Sequence, residues 1–62
     1  MKLKELREEN CLTQVEVAKY LNVRQNTYSQ YESEKRQLPI EVLISLSKLY
    51  KVSTDYILGL ED

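Results

Sequence analysis

Thr13-Gln14-Val15-Glu16 is the most restrictive stretch of this chain. A threonine with a glutamate three residues on, followed by apolar Val17, is a capping box. The Thr13 hydroxyl takes the free backbone N–H of Glu16, and the Glu16 carboxylate reaches back to that of Thr13. Leu12 before the cap and Val17 after it are spaced as a hydrophobic staple. A helix must therefore begin here. Its apolar face is Val17, Ala18 and Leu21. It runs out at Asn22, a residue that tolerates left-handed backbone. Val23 plugs the corner, and helical periodicity resumes at Arg24. Two short helices, Thr13–Leu21 and Arg24–Glu32, have only a two-residue corner between them.

That geometry is a helix-turn-helix over about residues 14–33. Ala18 is small where the second helix must cross closely. The rest of the chain is also helical in period. Leu3 and Leu6, followed by Leu12, mark a first helix that stops near Asn10 or Cys11, with Lys4 and Glu8 at a supporting spacing. Ser33 to Gln37 has no periodic apolar content and reads as a loop. Leu38-Pro39 opens a fourth helix, with Pro39 at its first position. Val42, Leu43, Leu46, Leu49 and Tyr50 form its apolar stripe, and Lys48 and Lys51 suit its C-terminal dipole. Ser53 caps a last short helix with Asp55 in its first turn, and Gly59 stops it. The expected architecture is all-α: one compact five-helix domain spanning residues 1–62.

A chain of 62 residues lies below the ~70–80 at which one apolar core is comfortable. Helix packing or a partner must compensate. With one cysteine and no histidine, no disulfide can form within the chain, and a structural zinc site or a histidine base is not expected. Cys11 reads as a buried or half-buried filler rather than a sensing thiol. No nucleophile–base set and no phosphate-cradling glycine loop occurs, so neither an enzyme nor a cofactor is expected. No apolar run reaches the ~18 residues of a membrane span, and the charged, alternating start is not a signal peptide. A cytoplasmic location is the expectation. The formal net charge is −1, yet cations exceed anions between Cys11 and Ile40, while the tail is acidic. A polyanion could therefore be held through one face only.

On the third helix Tyr28 and Tyr31 turn one way. At ~100° per residue, the opposite face holds Asn26, Ser29, Gln30 and Ser33, with Gln25 on its flank. For any one amide, a solvated surface position is the simpler reading. The set on one helix face fits base reading better. An amide can bond an adenine edge through donor and acceptor together, a pairing worth ~1–3 kcal/mol of discrimination. Being neutral, it adds no sequence-blind attraction to phosphate.

The segments "LKELREENCLTQVEVAKYLNV", "RQNTYSQYESEKRQLP" and "VLISLSKLYKVSTDYILG" cover nearly the whole chain. Together they resemble the Cro/repressor-type helix-turn-helix domains, also called the xenobiotic-response-element family or lambda-repressor-like fold. The resemblance implies a bacterial or phage transcriptional regulator, a repressor, that binds double-stranded DNA with its third helix in the major groove. It implies that Gln25, Asn26 and Gln30, with Thr27 and Ser29 beside them, face base edges. Gln14, Lys35 and Arg36 would hold phosphates, and Arg24 would add a cation beside the groove. Arg7 and Glu32 match a buried ion pair tying the first helix to the third. Cys11 and Asn22 stand where glycine is common, and Ser33-Glu34 where Asn-Gly is. The end of the first helix is therefore expected to be strained or differently capped, and Glu34 to repel phosphate.

Two copies on a roughly palindromic operator would place half-sites ~34 Å apart. Tyr56, Ile57 and Leu60 form the expected dimer surface. The rival reading is a protein-interaction module of the same fold, antitoxin-like or regulator-binding, favoured by the negative net charge and Glu34. No small-molecule ligand is expected.

Overall fold

The computed structural model describes residues 1–61. Five helices follow in order: α1 (Leu3–Glu9), α2 (Gln14–Leu21), α3 (Gln25–Glu32), α4 (Ile40–Tyr50) and α5 (Thr54–Leu58). α2 begins with the capping box complete, Thr13 Oγ1 accepting from Glu16 N at 3.1 Å and Glu16 Oε1 from Thr13 N at 2.8 Å. α5 begins with Ser53 Oγ accepting from Tyr56 N at 3.0 Å. Two helix starts differ by one residue from expectation. Arg24 is extended, at φ −71° and ψ 150°, so α3 starts at Gln25. Pro39 is extended too, at φ −65° and ψ 151°, and precedes α4 rather than opening it. A proline whose ψ is extended supplies the entry angle without joining the hydrogen-bonded turn.

All five helices stop by the same device. One residue goes left-handed, and the next N–H reaches back to a carbonyl in the last turn, the Schellman closure. The left-handed residues are Cys11 (φ 56°), Asn22 (59°), Glu34 (62°), Lys51 (56°) and Gly59 (81°). The returning bonds are Leu12 N to Arg7 O, Val23 N to Ala18 O, Lys35 N to Gln30 O, Val52 N to Ser47 O and Leu60 N to Asp55 O, at 2.8–3.2 Å. Only one of the five stops is glycine. The other four carry the Cβ–carbonyl crowding that glycine avoids. The strain expected at Cys11 is thus present, and so is its counterpart at Glu34. Cys11 itself is exposed, not the buried or half-buried filler expected: a left-handed residue at a helix exit turns its side chain outward.

The core is Leu3, Leu6, Val17, Ala18, Tyr28, Tyr31, Leu46, Tyr50 and Ile57, so every helix contributes. α2 packs on α3, and α4 on α5. Leu12 and Val23, the plugs that follow two of the helix stops, pack against this core. Tyr28 and Tyr31 meet edge to face, with ring centroids 6.5 Å apart. Lys2 N bonds Ile57 O at 2.9 Å, tying the start of the chain to α5. Ile57 is fully buried. It therefore cannot line a dimer surface, and that expectation is corrected: the side of α5 facing the core carries Ile57, while Leu58 and Leu60 face water.

Relief of left-handed strain is measurable. Lys51→Gly removes crowding of about 1–2 kcal/mol, offset by about 0.5–1 kcal/mol of added backbone entropy. A net gain of roughly 0.5–1 kcal/mol is expected in urea unfolding, with an unchanged m-value.

Candidate nucleic-acid interface

The site is built on one polar cluster where α1, α2 and α3 meet. Arg7 Nε donates to Glu32 Oε2 at 2.6 Å, and Arg7 Nη2 approaches Glu32 Oε1 at 3.4 Å. Arg7 Nη1 donates to Leu12 O at 2.9 Å. The two side chains are 12% and 6% exposed, so this is a shielded pair. Gln14 Nε2 donates to Glu32 Oε1 at 3.1 Å. The Arg7–Glu32 pair is thus brought together as expected. Gln14, expected to hold a phosphate, also has a partner within the chain, because the carboxylate has a lone pair that needs a donor. Burial alone would raise the Glu32 carboxyl, but bonds from Arg7 and Gln14, with Tyr28 beside them, hold it below the ordinary glutamate range. The bond to Glu32 in turn raises Arg7, against its own burial. Burial first, then Glu32, pushes the Tyr28 phenol far up. The Tyr28 and Tyr50 hydroxyls are buried, and neither has a partner at hydrogen-bonding geometry among the described residues.

With Tyr28 and Tyr31 turned inward, α3 shows water its polar face. Gln25, Asn26 and Ser33 are exposed, while Thr27, Ser29 and Gln30 are half-buried. Arg24 at the start of α3 and Lys35 and Arg36 just beyond its end are exposed. Cations therefore flank the amide face at both ends. Glu34 turns its carboxylate toward the amine of Met1, 3.9 Å away.

Gln30 is half-buried for a reason that no spacing revealed. The loop after α3 folds back onto it. Lys35 N and Arg36 N donate to its backbone carbonyl at 3.0 and 3.3 Å, and Ser33 Oγ at 3.4 Å. Arg36 Nε donates to its side-chain oxygen at 2.8 Å. Sequence reasoning had Arg36 free for phosphate and Gln30 free for a base, and missed that they touch. The one signal in the sequence was Ser33-Glu34 standing where Asn-Gly is common, at the left-handed turn that reverses the chain toward the last turn of α3.

Elsewhere the expected dimer residues are split. Leu60 is 72% exposed. Tyr56 is half-buried, with Lys2 Nζ 5.1 Å from its ring centroid. Ile40 and Ile44, one turn apart on α4, are exposed at 72% and 45% and were not anticipated.

Comparison with known proteins agrees with this geometry. A family model described as "Helix-turn-helix" matches residues 3–57. An uncharacterized HTH-type transcriptional regulator of Bacillus subtilis (strain 168), YobD, is 39% identical over 61 residues, covering 98% of this chain and 54% of that protein. The HTH-type transcriptional regulator ImmR of the same strain is 44% identical over 61 residues, covering 98% of this chain and 48% of its own. The chain thus spans about half the length of these curated relatives. No solved structure matches it significantly.

The shielded pair sets a stability prediction. Glu32→Gln leaves a part-buried guanidinium without its counter-charge and is expected to cost up to about 3–5 kcal/mol at neutral pH. Arg7→Met with Glu32→Leu is expected to recover most of that loss. Because the folded carboxyl is depressed, its contribution is present above the ordinary glutamate value and lost as pH falls through the folded one. The gap between wild type and Glu32→Gln should therefore narrow in acid, as read by urea melts at neutral pH and near pH 3.

Proposed function

Since the chain belongs to the helix-turn-helix family, we propose that it binds double-stranded DNA sequence-specifically as a cytoplasmic transcriptional regulator, a repressor, with α3 in the major groove. The observation that carries this reading is the outward face of α3: Gln25 and Asn26 stand in water because Tyr28 and Tyr31 occupy the core. An α-helix fits the major groove, and neutral amides there discriminate base edges. Gln25 and Asn26 read bases, with Thr27 and Ser29 at the edge of the same contact. Arg24, Lys35 and Arg36 hold the phosphates on either side. Gln14 reaches a phosphate from the start of α2 while anchored on Glu32, so the ion pair positions it. The interaction-module alternative drew on the net charge and on Glu34. Cations on both flanks of α3, and relatives named as transcriptional regulators, favour DNA.

The chain acts as a homodimer on its operator. The apolar side chains left in water supply the contact: Leu60 with Tyr56 in the tail, and Ile40 and Ile44 on α4. A chemistry of catalysis has no place in this scheme.

Two substitutions separate the two kinds of DNA contact. Gln25→Ala should relax preference at one base pair and cost about 1–3 kcal/mol on the preferred site. Lys35→Ala should weaken all duplexes alike and flatten the plot of log K against log salt by roughly 0.9. An equal effect of Gln25→Ala on preferred and random duplex, or an effect of Lys35→Ala confined to the preferred one, measured by fluorescence anisotropy at several salt concentrations, would contradict the assignment.

The dimer is tested by sedimentation. Leu60→Glu should leave folding intact and shift the operator complex from two copies toward one. A two-copy complex unchanged by both Leu60→Glu and Ile44→Glu would remove these surfaces from the interface.

A further inference from the structure

The contact between Gln30 and Arg36 does more than anchor a phosphate, an inference that rests on the DNA-binding function proposed for α3. The arginine Nε–H can only donate. The Gln30 atom 2.8 Å from it is therefore the amide oxygen, and the amide NH2 is turned the other way. The arginine is held in place as well. Arg36 N and Lys35 N both bond the Gln30 carbonyl, so the loop's path is fixed on the residue whose side chain it touches. A guanidinium on the oxygen side and an NH2 on the other leave an edge rich in donors. In water such a contact is weak. Against a duplex that excludes water it strengthens.

We propose that Gln30 and Arg36 form one reading unit, in which Arg36 fixes the Gln30 amide as a hydrogen-bond donor and directs it to guanine. Guanine presents two acceptors side by side in the major groove, N7 and O6. Adenine sets a donor, its N6 amino group, next to N7. A free glutamine suits adenine because it offers acceptor and donor together. With the oxygen facing a guanidinium, the adenine amino group meets positive charge, while guanine O6 meets further N–H groups. Arg36 is then a specificity-determining residue acting through Gln30, and not only a phosphate contact.

The test is a selection of the full chain from a random duplex library, followed by binding to duplexes that differ at one base pair. The position sensitive to Gln30→Ala identifies the pair read by the unit. Wild type should prefer guanine over adenine there by about tenfold, within the range of one good base contact. Arg36→Met should lower that ratio by about tenfold and admit adenine. Arg36→Lys should shift the ratio in the same way while keeping more of the overall affinity, since charge remains but the guanidinium is gone. A plain phosphate role would weaken every duplex by one factor and leave the ratio unchanged, which overturns the proposal. So does adenine preference in wild type at the Gln30 position. Without DNA, the side-chain amide resonance of Gln30 should move in Arg36→Met, and an unmoved resonance also overturns the unit. Loss of all sequence preference in wild type would instead defeat the DNA-binding reading, and the unit with it.

Discussion

The ion pair between Arg7 and Glu32 is the contact through which three of the five helices are joined. It reaches the last turn of α1, the carbonyl of Leu12 just before α2, the first residue of α2 through Gln14, and the last residue of α3. In so short a chain the apolar core is small, and a shielded pair is not in itself a large net stabiliser. Its contribution is geometric. A guanidinium donates in a fixed planar fork, so the entry of α2 and the exit of α3 are held at one mutual distance. The corner at Asn22 alone would leave the angle between them to side-chain packing. The amide face of α3 is thus aimed by a contact made at the last residue of the helix.

Local rules made most of the backbone legible. Thr13 and Glu16 specify a helix start by chemistry confined to four residues, and Ser53 and Gly59 bracket α5 in the same way. The inward turn of Tyr28 and Tyr31 followed from a spacing of three. What spacing did not reveal lies where phase or tertiary reach decides. α5 has five residues, too few for periodicity to say which of Tyr56, Ile57 and Leu58 faces inward, and the core took Ile57. Gln14 is separated from Glu32 by a full helix and a corner, so no spacing could reveal their bond. Gln30 and Arg36 lie on either side of a loop whose reversal depends on a glutamate in left-handed backbone, which propensity disfavours. Cys11 shows the same limit: its composition class says buried, and its backbone turns it out.

Charge is arranged against the total. The chain is slightly acidic as a whole, but Arg24 stands before α3 and Lys35 and Arg36 beyond its end, all in water. Sequence-blind attraction is therefore confined to the ends of the helix, and the middle is left to neutral amides. Long-range steering by net charge is weak in such a molecule. Local geometry must then carry more of any discrimination.

Four of the helix stops, those of α1, α2, α4 and α5, are followed by an apolar residue: Leu12, Val23, Val52 and Leu60. The stop of α3 is followed by Lys35. Leu12, Val23 and Val52 lean on the core, whereas the exit of α3 is closed by polar bonds alone, which water can replace at little cost. The proposed reading helix is accordingly held by the core and by the ion pair at Glu32, and only the turn beyond it rests on exposed polar bonds. A partner that covered that turn would have to order the long side chains of Lys35 and Arg36, so part of the free energy of association would go into ordering rather than into affinity.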